Sequence, residues 1–180
     1  MSVAVIGTNE FDLCEPHLQH LYVSAVSRVG LARVLVRTGA SRGCDQVAAR
    51  TVLEVGGRVD LVLPWRRFEA AWVDSMRDRH GSRCHIEVFR SAQHPEWLAS
   101  VTQYAGGNEP LDSRITKLYA RVFGIVAPAE IVLALPLRSQ AIGGTGQGIR
   151  IARALGKVVL DVRKADDRRR LNEWLKGLPH

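Results

Sequence analysis

Val34-Leu35-Val36-Arg37-Thr38-Gly39-Ala40-Ser41-Arg42-Gly43-Cys44-Asp45-Gln46-Val47-Ala48 is the stretch that decides the fold. Its apolar run Val34-Leu35-Val36, enclosed by Arg33 and Arg37, reads as a buried strand. The run passes into a loop, Thr38 to Asp45, in which Gly39 and Gly43 permit a tight turn and close backbone approach. A helix follows, with Ala48, Val52 and Val55 on one face and Gly56-Gly57 at its end. Strand, glycine-bearing loop and helix in that order form the unit of a parallel α/β sheet.

The unit recurs on both sides. Val3 to Gly7 reads as a first strand closing in Gly7-Thr8-Asn9, and Leu18, Leu21, Tyr22, Ala25 and Val29 then form a helical stripe that Gly30 is expected to stop. Downstream, Arg58 to Leu63 is a strand closed by Pro64, and Phe68, Ala71, Trp72, Ser75 and Met76 make the next stripe. Cys84 to Phe89 alternates like a strand, and Pro95 to Tyr104 suits a short helix with proline in its first turn. Gly106 to Pro110 reads as a turn-rich loop, and Ile115, Leu118, Tyr119, Val122 and Phe123 as a helix. Glu130 to Leu135 is a strand, and Pro136 to Gly148 a loop holding Gly143-Gly144-Thr145-Gly146. Ile149, Ala152 and Leu155 line a helix ended by Gly156, and Lys157 to Val162 is the last strand. Leu171, Trp174, Leu175 and Leu178 close the chain as an amphipathic helix, with Asp166 and Asp167 at its positive end.

The strands are apolar throughout, as strands covered on both faces are. The expected fold is therefore doubly wound α/β: a mostly parallel sheet with helices on both faces, one domain over residues 1–180. Ligands of such sheets sit at the carboxyl ends of the strands, near the topological switch point, and all three glycine-bearing loops fall on that edge.

Bulk properties narrow the function. The formal charge is +7, with 25 Lys and Arg against 18 Asp and Glu, which favours anionic partners without choosing among them. Three cysteines, Cys14, Cys44 and Cys84, have no framework spacing and suit a reducing, cytoplasmic setting. The N-terminus has no charged region before a long apolar run, so no signal peptide is expected, and no apolar stretch is long enough to span a bilayer.

The two internal glycine loops carry the chemistry. At the Gly39–Asp45 loop, helix-start amides favour an anion. Arg42 offers a bidentate phosphate contact, Ser41 a hydroxyl, and Ala40 leaves the backbone accessible. Asp45 either caps the helix or accepts from a ribose hydroxyl or base. Gly143, Gly144, Thr145 and Gly146 repeat the arrangement, with Arg138, Ser139 and Gln140 as a near wall. The run is neither a P-loop nor a G-x-G-x-x-G fingerprint, and with no Lys after the glycines nucleotide hydrolysis of the P-loop kind is not expected.

Read together, these motifs carry a resemblance. Thr38-Gly39-Ala40-Ser41-Arg42-Gly43-Cys44-Asp45 leads to Val62-Leu63-Pro64-Trp65; Tyr119-Ala120-Arg121 precedes Leu135-Pro136; Gly143-Gly144-Thr145 precedes Ala152-Arg153-Ala154-Leu155-Gly156-Lys157. The pattern resembles the SLOG superfamily, the Rossmann-like group named for Smf/DprA and LOG proteins, and within it the stand-alone sensor-type members. The resemblance covers most of the chain and is weakest between about residues 80 and 112. It implies a nucleotide or nucleotide-derived ligand along these loops. One branch, the LOG phosphohydrolases, cleaves a nucleoside monophosphate N-glycosidic bond and carries Pro-Gly-Gly-x-Gly-Thr-x-x-Glu. Here Ile142 precedes the glycines, and no acidic residue stands at the Glu position. The DprA branch binds single-stranded DNA, but no basic groove interleaved with aromatics is evident.

The remaining polar clusters have plainer readings. Cys14-x-x-His17-x-x-His20 fits no standard zinc spacing and reads as a helix face, as does His80 with Cys84-His85, so no metal is expected. Cys44 at a helix start beside Arg42 reads as a packing residue in preference to an activated thiol. Trp65 after Pro64 stacks on a base or packs in the core. Arg168-Arg169-Arg170 reads as a solvated helix face.

The expected function is binding of a phosphorylated, nucleotide-like small molecule, as sensor or carrier, at Gly7, Thr8, Asn9, the two internal loops, Pro64 and Trp65. The first alternative is an N-glycosidic hydrolase using Glu10, Asp12 and Asp45 as acid or base; the second is a nucleic-acid-binding module. No cofactor is expected, and a homo-oligomer is compatible with such a sheet.

Overall fold

The computed structural model describes residues 1–104, 113–137 and 143–178. Six parallel strands, β1 (Ser2–Gly7), β2 (Leu35–Thr38), β3 (Arg58–Leu63), β4 (Cys84–Val88), β5 (Ile131–Leu135) and β6 (Val158–Asp161), lie in the order β4-β3-β2-β1-β5-β6. The helices between them are α1 (Pro16–Leu31), α2 (Cys44–Glu54), α3 (Ala70–His80), α4 (Pro95–Tyr104), α5 (Ser113–Val126), α6 (Gly143–Ala154) and α7 (Ala165–Lys176). The chain winds outward from β1 to β4, returns through α4 and α5, and winds the other way through β5 and β6. The switch point therefore lies between β1 and β5, where Val3 to Gly7 pair in register with Ile131 to Leu135.

Strand alternation divides the core. Val3, Val5, Val36, Leu61, Leu63 and Leu133 face α1, α2, α3 and α7, whereas Ala4, Ile6, Val62, Val132 and Ala134 face α4, α5 and α6. Both faces are buried, which is why the strands read as continuous apolar runs. Among the described residues no helix is long and apolar enough to cross a membrane.

Several expectations shift. Gly30 does not stop α1; it lies inside the helix, where an added Cβ would meet Val55 Cγ2 at 2.7 Å and Val52 Cα at 3.1 Å, so it is a crossing point with α2. The positive φ that turns the chain belongs to Arg33 (56°). The second strand starts one residue late, at Leu35, and runs through Arg37 to Thr38. Phe68 precedes α3 and does not belong to its stripe, and Leu155 is 43% exposed, beyond the end of α6. The larger correction concerns Gly143-Gly144-Thr145-Gly146. The segment is not loop but the first turn of α6, which begins at Gly143 with φ of 61°. Glycine mid-helix is unfavourable, and packing explains Gly148: a Cβ there would meet Ile6 Cδ1 at 2.7 Å.

The sheet is also less uniformly apolar than its sequence suggests. Arg37 donates from Nη1 to Asp60 at 2.6 Å, from Nη2 to Glu87, and from Nε to Gly124 O at 3.2 Å. One guanidinium thus bridges two carboxylates across β2, β3 and β4.

Candidate functional site

At the switch point the carboxyl ends of β1 and β5 open into a cavity of about 560 Å³, within the range of small-molecule sites. Its floor is built by close backbone approach. Gly7 is needed because a Cβ there would meet Cys44 Cβ at 2.6 Å and Leu135 O at 3.2 Å. The strand ends are joined by Thr8 N–H donating to Leu135 O at 3.0 Å, and the start of α2 is joined by Cys44 N–H donating to Thr8 O at 3.0 Å. Gly43 (φ 82°) caps α2, and a Cβ on it would strike Asn9 O at 2.6 Å.

The start of α2 is thus closed upon the protein itself. Besides the Thr8 contact, Gln46 N–H donates to Ser41 O at 3.3 Å. Asp45 stands inside the first turn, where its carboxylate accepts from Ser41 N–H at 3.3 Å. The start of α6 differs. Helix geometry leaves its first amides without intrahelical acceptors, and Gly143, Gly144 and Thr145 line the cavity. Thr145 Oγ1 donates to Gly7 O at 2.8 Å, which pins the helix end to β1. A Cβ at Gly143 would meet nothing within 4 Å, and one at Gly144 only Val122 Cγ2, at 3.8 Å. A helix start whose first two residues carry no side chain is suited to an anion.

A buried charge, Arg121 from α5, lines the cavity at 6% exposure. Its Nη2 donates to Ser41 Oγ at 2.6 Å and lies 3.4 Å from Asp45 Oδ2, its Nη1 lies 3.4 Å from Val62 O, and its guanidinium stands 5.2 Å from the Phe68 ring centre. Its Nε has no hydrogen-bond partner among the described residues. Gly39 makes room for this pair, because a Cβ would run into both Arg121 and Asp45. Burial pushes the Asp45 carboxyl above its ordinary value, with Arg121 pulling it back, and burial lowers the Arg121 guanidinium against the pull of Asp45. The ion pair is therefore long, desolvated and incompletely satisfied, the state in which an added acceptor gains most. From the same helix as Arg121, Ile115, Leu118, Tyr119 and Val122 give the cavity an apolar wall.

Of the residues anticipated from sequence, the structure brings Gly7, Thr8, Asn9, Glu10, Ser41, Asp45, Gly143, Gly144 and Thr145 together around the cavity. Gly39, Ala40 and Gly43 shape the turn behind it, and Gly146 is buried within α6. Arg42 is exposed, 3.8 Å from Glu69, and does not line the cavity. Pro64 is buried, and Trp65 packs edge-on against Phe68 with ring centres 5.1 Å apart. Asp12 is exposed on the short 3-10 turn Phe11–Leu13. Arg138, Ser139 and Gln140, and the Gly106–Pro110 turn, lie outside the described residues. Cys44 is fully buried and its thiol is pushed up by desolvation, as suits a packing residue. Among the described residues no group of three or more His, Cys, Asp or Glu could hold a metal ion. Sequence reading missed Arg121 as a site residue; the available signal was an arginine set beside the apolar stripe Leu118, Tyr119 and Val122.

Comparison with solved structures places this architecture. DprA from Helicobacter pylori, described for its single-stranded DNA binding mode, superposes with a TM-score of 0.64 at 15% identity, over 99% of this chain and 82% of that one. DprA from Streptococcus pneumoniae gives 0.58 at 19% identity, over 96% of this chain and 56% of that one, so the present chain spans little more than half its length. The molybdenum cofactor carrier protein of Chlamydomonas reinhardtii gives 0.54 at 14% identity, over 99% and 87%. The likeness extends over nearly the whole of this chain. At these identities the likeness is one of fold alone. No protein-family model and no curated protein matches the sequence.

Proposed function

We propose that this chain is a SLOG-type domain that binds a nucleotide or nucleotide-derived phosphorylated ligand in the switch-point cavity, as a sensor or carrier. The observation that carries the reading is Arg121: a buried cation in the cavity wall, held 3.4 Å from its carboxylate and with Nε lacking an acceptor among the described residues. The glycine first turn of α6, which lines the cavity, is suited to a phosphate, and the α5 wall suits a ring. The neighbours are described as a molybdenum cofactor carrier and as a single-stranded DNA binder, and the sensor or carrier reading follows the first of these. Binding is favoured over turnover, because the first turn of α6 has no acidic side chain and Asp45 is tied to Arg121. The three thiols are free and buried, which suits a reducing compartment such as the cytoplasm.

The test is calorimetric titration with nucleoside monophosphates, ADP-ribose and oligonucleotides, each followed by product analysis. Saturable binding of an intact mononucleotide supports the reading. Release of free base establishes the hydrolase instead, and affinity that grows with oligonucleotide length and collapses with salt establishes the nucleic-acid module.

A further inference from the structure

The two helix starts at the switch point offer a ligand different chemistry. α2 packs on one face of the sheet and α6 on the other. Both starts are tied to the end of β1, α2 through Cys44 N–H to Thr8 O at 3.0 Å and α6 through Thr145 Oγ1 to Gly7 O at 2.8 Å. Ser41 and Asp45 on the α2 side and Gly143 to Thr145 on the α6 side all line the one cavity. A ligand lying across Gly7 and Thr8 therefore meets both.

The α6 start carries no charged side chain and is suited to an anion. On the α2 side the charges are already matched, because Arg121 Nη2 stands 3.4 Å from Asp45 Oδ2. Among the described residues both hydrogen bonds to the Asp45 carboxylate, from Ser41 N–H at 3.3 Å and from Arg121 Nη2 at 3.4 Å, fall on Oδ2. The hydroxyl of Thr38, beside the carboxylate, gives its proton to Val5 O at 2.8 Å. Asp45 Oδ1 is left as an acceptor, on a side chain that lines the cavity and is 10% exposed. Ser41 Oγ accepts from Arg121 Nη2 at 2.6 Å, and its own proton has no acceptor among the described residues. The α2 side thus presents one acceptor and one donor in a charge-balanced setting. A phosphate brings acceptors only, and would set a second negative charge against a desolvated carboxylate. A pair of neighbouring hydroxyls brings a proton for Oδ1 and an oxygen for Ser41.

We propose that Asp45 and Ser41 read the vicinal hydroxyls of a sugar whose phosphate lies at the glycine start of α6, so that the cavity selects a ribosyl 5′-phosphate over its deoxy counterparts and over a sugar that carries a second phosphate. A sugar without the hydroxyls leaves Oδ1 desolvated and unpaired and is rejected. The inference rests on the proposed function. It adds which end of the ligand meets which helix, and which residues recognise the sugar.

The experiment titrates the wild-type chain calorimetrically with the common ribonucleoside 5′-monophosphates, their 2′,3′-dideoxy analogues and their 3′,5′-bisphosphates. The series is repeated with Ser41→Ala, whose folding is checked by its melting curve. Wild type should bind the ribonucleotide more tightly than the dideoxy analogue by roughly ten- to a hundredfold, the range of a hydrogen bond to a charged group, and more tightly than the bisphosphate. In Ser41→Ala the preference for the ribonucleotide should shrink by roughly three- to tenfold, while the dideoxy analogue is held within about twofold. A dideoxy analogue bound by wild type within twofold of the ribonucleotide, or a bisphosphate bound more tightly than the monophosphate, would overturn the inference and leave the proposed function standing. A folded Ser41→Ala that keeps the full preference would do the same. Should Ser41→Ala not fold, the wild-type series decides alone. Wild type that binds none of these nucleotides would overturn both.

Discussion

Replacing Arg121 by Met tests how the cavity is held together. The side chain is 7% exposed and faces an Asp45 side chain that is 10% exposed, so solvent screens the pair little. Removing one partner of a buried pair leaves the other charged and desolvated, at a cost of about 3–5 kcal/mol. For a chain of this length that corresponds to a melting temperature lower by roughly 6–20 °C. The loss must depend on pH. The folded Asp45 carboxyl already lies above its ordinary 3.8, chiefly through burial, and Arg121 is the largest influence pulling it down. Without Arg121 the folded value rises further. A carboxyl raised on folding stabilises the fold fully below its unfolded value, and that contribution is lost as pH rises through the folded value. Urea denaturation should therefore find Arg121→Met closer to wild type at pH 5 than at pH 8. Adding Asp45→Asn should recover a large part of the loss at pH 8, with a coupling above about 1 kcal/mol. A single-variant cost below about 1 kcal/mol, or a larger deficit at pH 5 than at pH 8, would refute the account of a desolvated pair.

Other outcomes follow from the same geometry. Gly43→Ala should destabilise by about 2 kcal/mol or more, because its φ of 82° is strained for alanine and a Cβ would meet Asn9 O at 2.6 Å; denaturant midpoints check this. Gly144→Phe should melt within about 0.5 kcal/mol of wild type, since a Cβ there meets only Val122 at 3.8 Å, yet abolish ligand binding by filling the cavity. The thiols of Cys14, Cys44 and Cys84 are buried and pushed up by desolvation, Cys84 to about 11, so a thiol reagent at neutral pH should label them only at the rate of unfolding.

The parts of the fold legible in the sequence are those set by local pattern. Arg58 to Leu63 and Pro95 to Tyr104 appear at the expected bounds, because proline or paired glycines mark their ends and apolar content fills their middles. Gly30 and Gly143 mislead for one reason. A glycine that lets another element come close, or that opens a helix, has the same letter as one that ends a helix, and only tertiary contact separates them. Asp60 and Glu87 sit in expected strands and Arg37 at the edge of one, but their pairing depends on strand order, which no local pattern reveals. The same holds for the site. Asp45 was visible because it follows glycines, whereas Arg121 lies 76 positions away, on a helix that reaches the cavity only after the chain has crossed back over the sheet. Asp12 and Arg42 follow strands as site residues should, yet the local turn directs both away from the cavity.

The most direct test of the central claim is calorimetric titration of wild type and Gly144→Phe with nucleoside monophosphates at two ionic strengths. The account predicts saturable binding of an intact mononucleotide by wild type, modest dependence on salt, and none by the folded Gly144→Phe variant. Equal binding by both proteins, or binding only of long oligonucleotides with a steep salt dependence, would contradict it.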